Sequence, residues 1–321
     1  MLNQLNRKLQ MLMPILTPLS LVIGVLLQDI GNQLLFLIPW IFAFMTFSSS
    51  LGMSAKDAKS FSTYPKTILF FIAFLHILMP LWAYFLASNI FNDHLLTIGF
   101  IISVAIPTGI TSVIWVSICR GNLPLCLSIV LIDTLIAPFI LPVLLKVAAG
   151  TNIALDTTSL FLNLLWMIVL PSILGVLLNE YSKGKIQATL APKLAPFSKL
   201  GIFAVVMINS SAVAPYIEKI TWELVGVIAL VLFISISGYF IALLLGHLLW
   251  RDPTIVITFV FVGGMRNIAV GVVIATSFFP PKVAMPVVFG MLFQQVLASI
   301  LSRVVDKYQR RVNLRLKATS I

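Results

Sequence analysis

Val262-Gly263-Gly264-Met265-Arg266-Asn267 stands inside an otherwise apolar segment of a 321-residue chain. Its arginine lies twelve residues past Thr254 and sixteen before Lys282. At ~1.5 Å per helical residue, the nearer polar boundary is roughly 18 Å away along a helix. A side chain reaching ~6–7 Å cannot snorkel that far, and a charge at the centre of a bilayer costs ~2.5–3.5 kcal/mol or more. The two glycines before it loosen the helix where the charge sits. A charge on broken backbone at mid-membrane depth marks a binding site.

The rest of the chain supplies the membrane. Hydrophobic residues make up 60% and charged residues 10%, with a mean hydropathy of +1.08. A soluble chain of this length cannot hide so much apolar surface, so the composition defines an all-α polytopic membrane protein. Ten apolar stretches are legible, at roughly 11–28, 33–52, 67–88, 97–118, 123–147, 159–179, 199–216, 222–249, 254–278 and 283–304. Each is long enough to cross a ~30 Å hydrocarbon core.

With the N-terminus placed inside, seventeen basic residues fall in inner loops and the tail, and only Lys146, Lys219 and Lys282 fall outside. The positive-inside rule therefore predicts ten spans with both termini cytoplasmic. The net charge of +11 is then topology, with contact to anionic inner-leaflet lipid, and nucleic acid is not a partner. Cys119 and Cys126 form no metal or redox motif and read as small packing residues.

The two halves resemble each other. Pro18–Gln28 in span one matches Pro171–Asn179 in span six, and Gly24 aligns with Gly175 at an offset of 151 residues. The same offset carries span four onto span nine. Five spans per copy is an odd number, so the second copy is inverted. The predicted organisation is a first repeat over 1–150, an inverted repeat over 151–307 and a basic tail over 308–321. Span four carries its own break, Ile106-Pro107-Thr108-Gly109-Ile110-Thr111-Ser112, at the place corresponding to Gly263-Gly264. Paired breaks in corresponding spans point to a transporter site, where half-helix N-termini present unpaired N–H groups to an anion and freed carbonyls can hold a cation.

On these residues, together with Ser50-Leu51-Gly52-Met53, Met79-Pro80 and Arg120-Gly121-Asn122, the chain resembles the bile acid:sodium symporter family, as a divergent bacterial-type member. The resemblance implies a ten-helix inverted-repeat fold in which discontinuous helices 4 and 9 cross near mid-membrane. It also implies a panel of spans 1, 2, 6 and 7 moving against a core of spans 3–5 and 8–10, in a bacterial plasma membrane. The sodium-site positions depart from the family. Val262 stands where a sodium-binding glutamate is common, Arg266 where glutamine is, and Val113 where asparagine follows the serine. Cys126 and Val130 occupy two hydroxyl positions of span five. Ser112 and the carbonyl of Met265 are what remains of a degraded sodium site.

Sodium needs several oxygen ligands, by analogy with other hard cations. A guanidinium ~6 Å away would repel it by roughly 3 kcal/mol at an effective dielectric constant near 20. The expectation is that Arg266 supplies in cis the charge that sodium supplies elsewhere, leaving Na+ or H+ open as coupling ion.

Asp133 is the only carboxylate deep in a span. It is expected to pair with Arg266, either as a fixed bridge ordering spans five and nine or as a bridge that opens when substrate or a proton arrives. Arg266, Asn267, Thr108, Ser112 and Asn209 are the candidate substrate contacts, with helix–helix hydrogen bonding the competing role for Asn209. His76 is either a packed neutral histidine or a proton carrier. Of adjacent Gln294 and Gln295 only one can face the site, and Gln294 is a candidate for the coupling network.

The sequence thus predicts a secondary transporter of a small organic anion working by alternating access, with proton coupling or uniport as the alternative. No cofactor, metal motif or obligate protein partner is legible. Pore-lining charge rings and gating charges are absent, which disfavours a channel or sensor. No catalytic constellation stands in the spans, which disfavours an enzyme.

Overall fold

In the computed structural model, residues 2–54, 60–150, 155–217, 221–250 and 252–319 are described. Lys56, Lys59, Lys219 and Arg251, part of the topology reading, lie outside them, as do the last two residues of the tail. The helices are α1 (Leu2–Leu26), α2 (Leu35–Ser50), α3 (Pro65–Phe91), α4 (His94–Ala105), α5 (Thr111–Ile118) and α6 (Leu123–Ala149). They continue as α7 (Thr157–Tyr181), α8 (Ala191–Ile217), α9 (Trp222–Leu249), α10 (Pro253–Gly264), α11 (Ile268–Phe278) and α12 (Ala284–Thr319). Among the described residues, six helical segments are long and apolar enough to cross a membrane, and α2, α4, α10 and α11 are shorter apolar helices. The molecule is a polytopic all-helical membrane protein.

Helix starts are set by short polar side chains that take up orphan backbone donors. Asp93 accepts from the Leu96 amide at α4, Asn122 from Leu125 at α6, Thr221 from Leu224 at α9 and Asp252 from Thr254 at α10. Helices α5 and α11 begin without any side-chain cap. Both begin at the crossing.

Prolines shape two helices from within. Met79-Pro80 and Leu170-Pro171 each follow one widened π-type turn, Phe74–Leu78 in α3 and Leu165–Val169 in α7. A proline has no N–H to return to the preceding turn, and the widened turn accommodates the missing bond. His76 lies on the turn in α3.

Helices α1, α2, α7 and α8 pack largely on one another through close backbone approach. A Cβ on Gly24 of α1 would lie 2.1 Å from the Met207 carbonyl oxygen of α8. One on Gly175 of α7 would lie 2.9 Å from the Phe47 carbonyl oxygen of α2. An aromatic core runs through α3, α4, α9 and α10, where Phe71, Phe74, Phe100, Phe259, Phe261 and Tyr239 are fully buried.

Candidate functional site

The two broken segments meet. Ile106 (ψ 152°) and Met265 (φ −112°, ψ 119°) leave the helical region, and the extended segments that follow meet in one isolated antiparallel bridge between Thr108 and Arg266. The Gly109 amide donates to the Met265 carbonyl at 3.1 Å, and the Asn267 amide donates to the Pro107 carbonyl at 2.8 Å. Each break thereby satisfies polar groups that the other exposes, which is what permits non-helical backbone in a bilayer. The approach is close enough to require glycine: a Cβ on Gly109 would stand 2.8 Å from the Arg266 carbonyl oxygen.

Three side chains lock the bridge. Asp133 of α6 is fully buried and accepts the Thr108 amide on Oδ2 at 2.7 Å. Its Oδ1 lies 2.6 Å from His76 Nε2. Gln294 of α12 accepts the Arg266 amide on Oε1 at 2.9 Å, while Gln295 accepts from Trp115 Nε1 at 3.3 Å. The adjacent glutamines therefore serve different neighbours, as their helical offset dictates.

The expected Arg266–Asp133 ion pair is a correction. Among the described residues no salt bridge joins the two side chains; Asp133 instead meets His76 on Oδ1 and accepts the Thr108 amide on Oδ2. Asp133 remains near enough to act on Arg266 electrostatically, as does Tyr239. Arg266 is 5% exposed, and among the described residues its Nη1 has no hydrogen-bond partner. It lines a cavity of about 40 Å³ together with Ser103, Ser235, Tyr239, Gly264 and Gln294.

The candidate substrate contacts divide. The Thr108 hydroxyl turns inward toward the Val262 carbonyl at 3.4 Å, and the Ser112 hydroxyl lies 3.9 Å from Cys126 Sγ. Both residues are buried. Asn209 of α8 is buried and accepts from Thr276 of α11 at 3.4 Å, so it sits on the seam between α8 and α11, away from the Arg266 cavity. Asn267 precedes α11 without capping it and is half-buried.

The Met265 carbonyl accepts one hydrogen bond from Gly109, the Val262 carbonyl accepts one from Thr108, and the side chains of Val113 and Val130 carry no oxygen. Among the described residues there is no cluster of three or more His, Cys, Asp or Glu able to hold a metal ion.

Sequence reasoning missed Tyr239, Ser103 and Ser235. Tyr239 carried a usable signal, since a phenol in the middle of α9 needs a partner for its hydroxyl. The serines carried none, because their hydroxyls bond back to Phe100 and Val231 on their own helices, a pattern available to any serine in a span.

A polytopic helical bundle with two broken helices crossing at buried polar groups is the arrangement expected of a membrane transporter. The family comparison agrees: the model of the SBF-like CPA transporter family (DUF4137) matches residues 10–310, and the chain belongs to that family. The uncharacterized protein YbaS of Bacillus subtilis is 42% identical over 304 residues, covering 94% of this chain and 99% of YbaS. The uncharacterized sodium-dependent transporter YocS of the same organism is 24% identical, covering 89% of this chain and 90% of YocS. The probable sodium/metabolite cotransporter BASS1, chloroplastic, of Oryza sativa subsp. japonica is 26% identical, covering 81% of this chain and 63% of BASS1.

Proposed function

We propose that this chain is a secondary transporter of a small organic anion, working by alternating access in a bacterial plasma membrane, with Arg266 in the role that a coupling sodium plays in relatives. In this reading there are ten spans, with α4–α5 and α10–α11 as discontinuous spans four and nine. Residues 1–150 and 151–307 are inverted repeats, 308–321 is a cytoplasmic tail, and both termini are cytoplasmic. The panel is α1, α2, α7 and α8, and it rocks against the remaining helices.

The observation that carries the reading is the Thr108–Arg266 backbone crossing with an unpaired guanidinium behind it. The starts of α5 and α11, which no side chain caps, offer positive dipole ends to a carboxylate or sulfate. Arg266 adds a fixed charge from the rear, Asn267 orients the ligand, and Asn209 closes from the panel side. Relatives named for sodium suggest sodium coupling. Against it, the Met265 and Val262 carbonyls already accept hydrogen bonds, and a buried cation repels a second one.

The test is thermal stabilisation of the purified protein by a panel of carboxylates and organic sulfates, with and without sodium, because a ligand of the native state stabilises it by an amount that rises with the logarithm of its concentration over Kd. The expected result is sodium-independent stabilisation by one anion class, lost in Arg266→Gln. Strong stabilisation by sodium alone would refute the replacement of sodium by Arg266.

A second reading, proton coupling, is favoured by the 2.6 Å contact between His76 and Asp133. Asp133 holds the Thr108 amide at the crossing, so a proton moving onto or off this pair changes the anchor of span four.

A further inference from the structure

A cleft of about 450 Å³ opens between the close of α5 and the last turns of α12, at the end of the bundle that the basic residues mark as cytoplasmic. Ile118, Arg120, Arg303, Asp306 and Gln309 line it, and it shares no lining residue with the Arg266 cavity. Deeper in the bundle the two helices are joined, where Trp115 Nε1 donates to Gln295 Oε1 at 3.3 Å and the Trp115 ring stacks on Phe261.

Depth sets what meets this cleft. Arg120 stands nine residues past Thr111, where α5 leaves the crossing, and Arg303 nine residues past Gln294, which holds the Arg266 amide there. At ~1.5 Å per helical residue, both arginines lie roughly 13–14 Å from the crossing. Half of a ~30 Å hydrocarbon core is about 15 Å. With the crossing at mid-membrane, the two arginines therefore stand where acyl chains give way to phosphates. The side chains one or two turns deeper are apolar and exposed: Ile114 and Ile118 on α5, Val296 and Ile300 on α12. Ile300 and Val296 lie three and seven residues before Arg303, so they share its face of the helix.

The charges at the rim suit a phosphodiester. Arg120 and Arg303 are exposed, and among the described residues neither forms a salt bridge. Arg120 holds a left-handed backbone (φ 59°) as α5 closes, with the Gly121 amide returning to the Val116 carbonyl at 2.8 Å. Glycine is the usual occupant of such a position, and here it carries a guanidinium to the cleft instead. Two arginines against Asp306 leave one net positive charge in the lining. A phosphodiester brings one negative charge, and a guanidinium fork matches its oxygens two at a time.

We propose that this cleft binds the headgroup of an anionic phospholipid of the inner leaflet, with Arg120 and Arg303 on the phosphodiester and the acyl chains lying along Ile118 and Ile300. Basic pockets between spans on the cytoplasmic side suit such headgroups. A zwitterionic lipid fits less well, because its ammonium enters a lining that is already net positive. The bound lipid ties α5, which starts at the crossing, to α12, which holds the Arg266 amide, and so steadies the crossing from its cytoplasmic end. The site depends on this end being cytoplasmic and not on which anion is carried.

The experiment uses the full-length protein, purified in a maltoside detergent and stripped of lipid, with Tm followed against added phosphatidylglycerol, phosphatidylethanolamine or inorganic phosphate. The expected result is a saturable rise with phosphatidylglycerol, at most a small rise with phosphatidylethanolamine and none with phosphate. Arg120→Gln/Arg303→Gln should weaken the apparent affinity for phosphatidylglycerol by about tenfold or more while leaving the lipid-free Tm unchanged, since both side chains are exposed. Asp306→Asn should tighten it. Lys193→Gln, an exposed basic residue outside the cleft, should leave it as it is. An undiminished phosphatidylglycerol response in the double variant, no gain in Asp306→Asn, or an equal loss in Lys193→Gln would each overturn the site. An equal response to phosphatidylethanolamine would overturn the choice of an anionic lipid, and an equal response to inorganic phosphate would overturn the lipid in favour of a soluble ion.

Discussion

Asp133 should be the residue on which the crossing depends most. Its carboxylate takes the Thr108 amide at 2.7 Å on one oxygen and His76 at 2.6 Å on the other, fully out of solvent. Hydrogen bonds to a charged group contribute ~1.5–3 kcal/mol each, so truncation to alanine should cost roughly 3–6 kcal/mol. Asn in its place retains acceptor capacity and should cost roughly half as much. The measurement is reversible unfolding in mixed micelles, titrated with SDS, on His76→Ala, Asp133→Ala and the double variant. Because the two side chains touch, the cycle should return a coupling of ~1.5–3 kcal/mol, the worth of one charge-assisted bond. Additive single effects, with a coupling under ~0.5 kcal/mol, would show that the 2.6 Å contact does not exist in the protein.

Two further predictions rest on contacts away from that pair. Gly264→Ala should destabilise by ~1–3 kcal/mol through overpacking, since its Cβ would overlap the Tyr239 ring, and Gly264→Ala/Tyr239→Leu should recover part of the loss in the same SDS titration. Lys282 bonds Asp93 at 2.8 Å and Glu223 at 2.7 Å. For Asp93, burial pulls the carboxyl upward, but the Lys282 hydrogen bond and charge together with the Leu96 and Leu95 amides outweigh it, leaving it below its ordinary 3.8. For Lys282, burial pulls downward and the two carboxylates outweigh it, leaving the amine above 10.5. The Asp93 contribution is therefore present above pH ~4 and lost as pH falls through the lowered value. The Lys282 contribution is present below pH ~10 and lost as pH rises through the raised one. Lys282→Met should flatten both limbs of a Tm-against-pH curve, by ~1 kcal/mol or less at neutral pH.

Much of the fold is legible in the sequence because its signals are local. Pro107, Gly109 and Gly263-Gly264 act on their own backbone, so spacing alone places the breaks in α4–α5 and α10–α11. The burial of Arg266 follows from its distance to the nearest polar boundary. Partner choice is not legible. The sequence points Asp133 at Arg266 because it shows two opposite charges and no competitor. His76 becomes the competitor only because the widened turn before Pro80 sits against α6. Thr108 illustrates the same limit: as a hydroxyl in a broken span it reads as a ligand, yet its amide contributes more than its side chain.

A tethered cation also changes what the transporter can do. In the alternating-access cycle proposed above, a sodium ion that binds and leaves would carry the energy of its gradient, whereas Arg266 would present the same charge in every state and would bind an anion without driving it uphill. Concentrative transport then requires another mobile charge. Among the described residues at the crossing, the pair able to exchange one is His76–Asp133, faced by Arg266 and, beyond it, by the Tyr239 phenol. Proteoliposomes loaded with a pH dye and challenged with the carboxylate that best stabilises the protein should acidify inside as the anion enters. Asp133→Asn should abolish the acidification and the accumulation while leaving downhill exchange of the same anion. Accumulation driven by a sodium gradient at fixed pH, with no proton movement, would mean that sodium binds despite Arg266 and that the arginine holds only the backbone.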